Sequence, residues 1–164
     1  MDVEGSEFLD FVEVADRHEL EYILTGGLAL VSNGIVRFTQ DADVWLRPDN
    51  TNQDKALLDF GYDEEDVSAM READFTQVQF VRIHDVPLDV MTSAHQKFDY
   101  DTCRKREPLF TTTRGHKIYF LHINDLRELK VLARRPKDLS DVLMIDDLLE
   151  EQRKLNEESN KHSE

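Results

Sequence analysis

The chain has one cysteine, Cys103, among its 164 residues. An internal disulfide is therefore excluded, and a reducing, cytoplasmic setting is expected. There is no run of about 18 apolar residues, so no transmembrane helix is predicted and no membrane partner is expected. The N-terminus, MDVEGSEFLDFVEV, is acidic and has no basic stretch ahead of an apolar one, which argues against a signal peptide. Positive charge is scarce: 20 Lys and Arg stand against 35 Asp and Glu, a net charge of −15. Taken whole, a surface of that sign repels nucleic acid and attracts small cations. The six histidines are scattered without H-E-x-x-H or Cys/His spacing, so a zinc site is not expected. The chain contains no G-x-x-x-x-G-K-[ST], which excludes a P-loop, and no G-x-S-x-G elbow for a serine nucleophile.

What is present can build a core. Forty per cent of the residues are hydrophobic, and the length suits one domain, read here as residues 1–151, followed by a polar tail, 152–164, expected to fray. Charge is segregated along it. Between Arg104 and Lys137 lie ten Lys and Arg and three Asp and Glu, a local excess of +7 that leaves the remainder strongly acidic. A solvated surface of uneven charge and a basic wall facing an acidic site are both open readings.

Helical spacing of Phe8, Leu9, Phe11, Val12 and Ala15 predicts a helix over 6–19, with Ser6 as its cap. Residues 21–25 read as a short strand, 27–33 as a helix stopped at Asn33-Gly34, and 42–46 as a strand. A helix over 51–60 is expected to end at Gly61, whereas 63–71 is ambiguous. Residues 75–83 alternate as a half-buried strand and 86–91 form the next, with His84-Asp85 as the turn of a hairpin. Two β-like runs flank Arg114-Gly115 within 108–121. Helices are predicted over 123–133 and, after Pro136, from 137 to about 151. Mixed strands and helices give an α/β (α+β) class: a small mixed sheet flanked by helices, with helices at the C-terminal end.

The chemistry concentrates in residues 22–46, YILTGGLALVSNGIVRFTQDADVWL. A Gly26-Gly27 pair between a strand and a helix suits a phosphate, or is a tight turn and nothing more. Asp41 and Asp43, two apart on a strand, point to one face and can share a divalent metal. Acid pairs at this spacing recur by chance in so acidic a chain, so the neighbours carry the reading: Val44-Trp45-Leu46 places these two at the mouth of an apolar strand. Asp89 sits in Pro87-Leu88-Asp89-Val90-Met91, an acid inside an apolar strand. A buried carboxylate needs a partner, which a metal shared with Asp41 and Asp43 or a salt bridge to an arginine would supply. Arg37 and Thr39 are read as orienting groups for phosphate or for the acids.

Gly26-Gly27, then Asp41-x-Asp43, then Asp89 in an apolar strand resemble the DNA polymerase beta-like nucleotidyltransferase superfamily. TGGLAL…NGIVRFTQDADVWL is similar to its small prokaryotic branch, which includes abortive-infection-type toxin nucleotidyltransferases. Asp125-Leu126, Lys130 and Arg134-Arg135-Pro136-Lys137-Asp138-Leu139-x-Asp141 also resemble that branch; residues 93–122 match no motif of it. The resemblance implies that Asp41, Asp43 and Asp89 are catalytic and bind two Mg²⁺ ions. Gly26 and Gly27 would hold the triphosphate, with Arg37, Thr39, Lys130 and Lys137 as further nucleotide-binding residues. Asp138 and Asp141 are read as braces of helix packing.

The function so implied is transfer of a nucleoside monophosphate from an NTP such as ATP to an acceptor hydroxyl. The acidic surface favours a small cationic acceptor, and the +7 segment favours RNA. The alternative is a nucleotidyltransferase-like component of a toxin–antitoxin or other two-protein system, active or silenced through a partner. With no obvious second domain for a large substrate, a homodimer or an antitoxin-like partner is expected to complete the protein.

Overall fold

The computed structural model describes residues 2–77, 80–82, 87–106 and 108–161. They fall into two compact units, Met1–His122 and Ile123–Glu164.

The first unit opens with helix α1, Ser6–Arg17, whose apolar stripe buries Phe8, Leu9, Phe11, Val12, Val14 and Ala15. The cap is Gly5, with no side-chain hydrogen bond, and Ser6 is the first helical residue. Strand β1, Tyr22–Thr25, leads directly into helix α2, Gly26–Ser32, which ends at Asn33 as its sequence predicts. Strand β2, Ala42–Leu46, has the predicted bounds. Helix α3, Gln53–Phe60, stops at Gly61, whose φ of +117° is a conformation glycine takes without penalty. The ambiguous segment is helix α4, Glu64–Glu72: Asp63 caps it by accepting from the Asp66 backbone N–H at 2.8 Å.

Strands β3, Val81–Arg82, and β4, Leu88–Met91, pair antiparallel, the relation the predicted hairpin requires. Residues 75–77 form a turn rather than strand. The expected turn at His84-Asp85 lies outside the described residues. Helix α5, Tyr100–Lys105, falls where no motif was found; Asp99 caps it through the Thr102 N–H at 2.9 Å. Strands β5, Leu109–Thr111, and β6, Lys117–Tyr119, form a hairpin around Arg114-Gly115.

The main sheet runs β1-β2-β4-β3. β2 pairs antiparallel with β1 and parallel with β4, so the sheet is mixed. A bridge from Leu24 to Phe120 ties the second hairpin to β1. Ile23, Leu24, Val44, Leu46 and Val90 are fully buried, as are Leu28, Leu30 and Leu57 from the helices. Trp45 is 1% exposed, with its indole N–H donated to the Thr92 carbonyl at 3.1 Å.

The second unit is a helix pair: α6, Ile123–Ala133, and α7, Pro136–Lys161. Pro136 opens α7, where its missing N–H costs nothing. The tail expected to fray continues instead as helix to Lys161. Arg153 pairs with Glu150 and Glu157 one turn either side, and Lys154 pairs with Glu150, which supports a wholly exposed stretch that has no core to dock on. Among the described residues no helix is long and apolar enough to cross a membrane.

Candidate functional site

Strand register builds the site. Thr25 pairs with Asp43, Asp43 with Asp89, and Asp89 with Arg82, so one residue from each of the four strands stands in a single cross-sheet row. Side chains alternate faces along a strand, and register partners share a face. Asp43 and Asp89 are therefore neighbours on one face at the same end of two parallel strands. The next residues on that face, Trp45 and Met91, are buried, so the acids lie where the apolar interior gives way to the edge.

The Gly26-Gly27 turn is pressed against this row. Gly26 has φ +63°. A methyl group built on it would overlap the Asp43 carboxylate and lie 2.9 Å from Asp43 Cβ. A methyl group on Gly27 would lie 2.6 Å from Thr39 Oγ1 and 3.8 Å from the Arg37 guanidinium carbon. Thr39 in turn donates its hydroxyl to the Asp41 carbonyl at 3.1 Å. Gly26 is thus packed on Asp43, and Gly27 on Thr39 and Arg37, with Thr39 tied to Asp41; register adds Asp89 beside Asp43.

Arg82, which no sequence motif singles out, is central to this row. Its Nε donates to Asp89 Oδ1 at 2.6 Å and its Nη2 to Asp89 Oδ2 at 2.8 Å, a two-pronged pair; Nη2 also reaches Asp41 Oδ2 at 2.9 Å. The Asp89 side chain is 4% exposed against 48% for Arg82 and 36% for Asp41, so a half-exposed arginine neutralises a buried carboxylate. The hydrogen bond donated to Asp89 and the charges of the two carboxylates hold the guanidinium proton more firmly than usual. The Arg82 guanidinium carbon also lies 5.5 Å from the centre of the Phe80 ring. Arg82 is thus the arginine partner that a carboxylate buried in an apolar strand calls for. Tyr62 is close by: burial first, then the charges of Asp66 and Asp89, push its phenol well above the ordinary value.

Among the described residues no group of three or more His, Cys, Asp or Glu is placed to hold a metal ion as it stands. The donor chemistry nevertheless fits Mg²⁺: Asp41, Asp43 and Asp89 offer only carboxylate oxygens, the hard ligands that ion takes. Two of them are register partners, and Arg82 already bridges the third, Asp41, to Asp89.

Lys130 and Lys137 belong to the second unit. Lys130 is 9% exposed, and its ammonium lies 3.1 Å from Asp138 and 2.9 Å from Asp141, both buried. Arg135 adds a second cation on Asp138. This cluster fastens α6 to α7. Lys137 is exposed.

The fold is thus a mixed α/β one with a Gly-Gly turn packed on a cross-sheet row of carboxylates. The chain belongs to the family described as "Nucleotidyltransferase of unknown function (DUF6036)", whose match spans residues 7–152. An antigenic nucleotidyltransferase-like protein from Paracoccidioides brasiliensis has a similar solved structure, at 15% identity over 87% of this chain and 75% of that one, with a TM-score of 0.46. No curated protein sequence matches the chain.

Proposed function

We propose that the protein is a metal-dependent nucleotidyltransferase that moves a nucleoside monophosphate from an NTP to an acceptor hydroxyl. The observation that carries this reading is the row Thr25–Asp43–Asp89 with the Gly26-Gly27 turn packed on Asp43. It sets two carboxylates directly against the strand–helix turn at Gly26-Gly27, where a bound triphosphate would meet backbone and carboxylates together. Family membership supports the same class.

Asp41, Asp43 and Asp89 would hold Mg²⁺, which when bound supplies charge neutralisation at the attacking and leaving oxygens. Gly26 and Gly27 would offer their backbone to the phosphates, and their missing side chains let Asp43 and Thr39 pack against that turn. Arg37 and Thr39 orient that loop, and the Arg37 guanidinium is close enough to Gly27 to meet a phosphate there. The acceptor oxygen forms a bond to the α-phosphorus as the bond to the bridging α–β oxygen breaks, and pyrophosphate leaves with that electron pair. The hydroxyl proton passes to the Asp89 carboxylate, which the parallel β2–β4 pairing sets beside Asp43. Most of the acceleration then comes from positioning and electrostatics.

The test is a thermal-shift panel of ATP, GTP, CTP and UTP, each with and without Mg²⁺, on wild type and Asp43→Asn. A Mg²⁺-dependent rise in wild type alone supports the reading and names the base. A rise that survives unchanged in Asp43→Asn overturns the carboxylate assignment.

A second reading, a component that works with a partner chain, is supported by Leu139 and Leu143, one turn apart on α7 and 53% and 67% exposed. Light scattering on wild type and on Leu139→Glu/Leu143→Glu checks it. A larger assembly that the double variant reduces to monomer supports a self-partner, and a monomer in both excludes one.

A further inference from the structure

We infer that Arg82 is the resting counter-ion of the carboxylate site, a positioning residue that must leave Asp89 and Asp41 for a divalent cation to enter. The inference rests on the nucleotidyltransferase reading and extends it to how the site is loaded.

The geometry sets up an exchange. Asp89 is nearly inaccessible to solvent, and both its oxygens already accept from Arg82, at 2.6 and 2.8 Å. A carboxylate so buried cannot stay charged without a compensating cation. One positive group therefore holds the position at all times, either the guanidinium or the metal. Both together would set like charges within a few ångströms of each other beside a buried carboxylate.

Arg82 is built to give way. It lies on β3, the outer strand of the main sheet, and its side chain is about half exposed, so it has solvent to move into. Its guanidinium already lies 5.5 Å from the Phe80 ring, a second seat that keeps a cation nearby once the carboxylates release it. Asp41 is the more exposed of its two acids and is held by a single contact, so it parts first. Once displaced, Arg82 needs a new anion, and a triphosphate bound over Gly26-Gly27 provides one. Cation entry and nucleotide arrival are then coupled, because the nucleotide rewards the arginine for leaving.

The test is Mn²⁺ binding to the full chain without nucleotide, followed by the paramagnetic resonance signal of free Mn²⁺, for wild type, Arg82→Gln, Arg82→Lys and Arg82→Gln/Asp43→Asn. Removing the competing charge is expected to tighten Mn²⁺ binding at least about tenfold in Arg82→Gln. Arg82→Lys, which keeps the charge and loses the fork, is expected near wild type. The gain is expected to disappear when Asp43→Asn is added. Equal or weaker binding in a folded Arg82→Gln, with wild type binding Mn²⁺ measurably, overturns the exchange and leaves the metal site standing. No binding in any folded variant, with or without ATP, overturns the metal site and the exchange together. Wild type ¹⁵N-labelled at arginine gives a readout that needs no variant. The Arg82 Nε–H, sheltered by Asp89, is expected to lose its exchange protection as Mg²⁺ is added; protection retained at saturating Mg²⁺ overturns the inference.

Discussion

Gly26 and Asp43 are in such close contact that no side chain fits between them: a methyl group on residue 26 would overlap the Asp43 carboxylate. The backbone compounds this, because φ at Gly26 is +63°, a conformation that costs an L-residue about 1–2 kcal/mol. Gly26→Ala is therefore expected to destabilise the fold by about 1–3 kcal/mol, read as a fall in the denaturation midpoint. Much of that is clash with one carboxylate, so the penalty should shrink in the Asp43→Ala background while the backbone part persists. Equal penalties in both backgrounds would mean the contact is not felt in solution.

Gly27 separates ligand approach from backbone strain, because its φ is not positive. A side chain there would meet Thr39 Oγ1 at 2.6 Å and face the Arg37 guanidinium. Thr39 holds the loop through the Asp41 carbonyl, so displacing it shifts the carboxylate segment too. Gly27→Val is expected to weaken NTP binding at least about tenfold while costing only about 1–3 kcal/mol of stability. Isothermal titration with the nucleotide named by the thermal-shift panel checks the first part, and urea unfolding the second. Unchanged affinity would make Gly27 a turn residue only.

Residues 22–46 were legible because each signal there is local. The Gly pair marks the strand–helix junction, Asn33 stops α2, and the apolar run after Asp43 sets the bounds of β2. Arg82 was not legible, although an arginine was one of the two partners considered for Asp89. A tight turn at His84-Asp85 would place Phe80 opposite Asp89, whereas the observed register places Arg82 there. A register two residues away is a tertiary outcome that alternation along a strand cannot report, since both registers keep the same face inward. Helix α5 was missed for a related reason: its six residues show little periodicity, and the informative feature was the Asp99-x-x-Thr102 cap. The extension of α7 rests on ion pairs one turn apart, which a polar composition conceals.

The resemblance makes Lys130 a nucleotide-binding residue, but its ammonium is engaged by Asp138 and Asp141. Breaking a buried ion pair from one side leaves uncompensated charge, here two carboxylates. Lys130→Ala is expected to cost about 3 kcal/mol or more in urea unfolding, far beyond a solvated helix lysine. Lys130→Ala/Asp138→Asn/Asp141→Asn, which removes the stranded charges, should recover part of the loss. A Lys130→Ala protein that keeps its stability but loses NTP affinity would return the lysine to the nucleotide site.

The same cluster gives the protein an acid-sensitive joint between α6 and α7. Burial pushes the Asp138 carboxyl upward, but hydrogen bonds from Arg135 and Lys130, with their charges, outweigh it and hold the pKa below the ordinary value. A carboxylate depressed in the folded state adds stability that is whole above its unfolded value of about 3.9 and is lost as pH falls toward the folded value. Wild type should therefore lose midpoint temperature below about pH 4, where Asp138 of the unfolded chain takes up protons while the folded chain's Asp138 resists them. Asp138→Asn lacks that linkage: it starts lower at pH 7, and its curve should approach that of wild type as the solution is acidified. Melting both proteins from pH 7 to pH 3 measures the gap directly. A gap that stays constant across that range would mean that Asp138 holds the helix pair by shape and neutral hydrogen bonding, with no contribution from its charge.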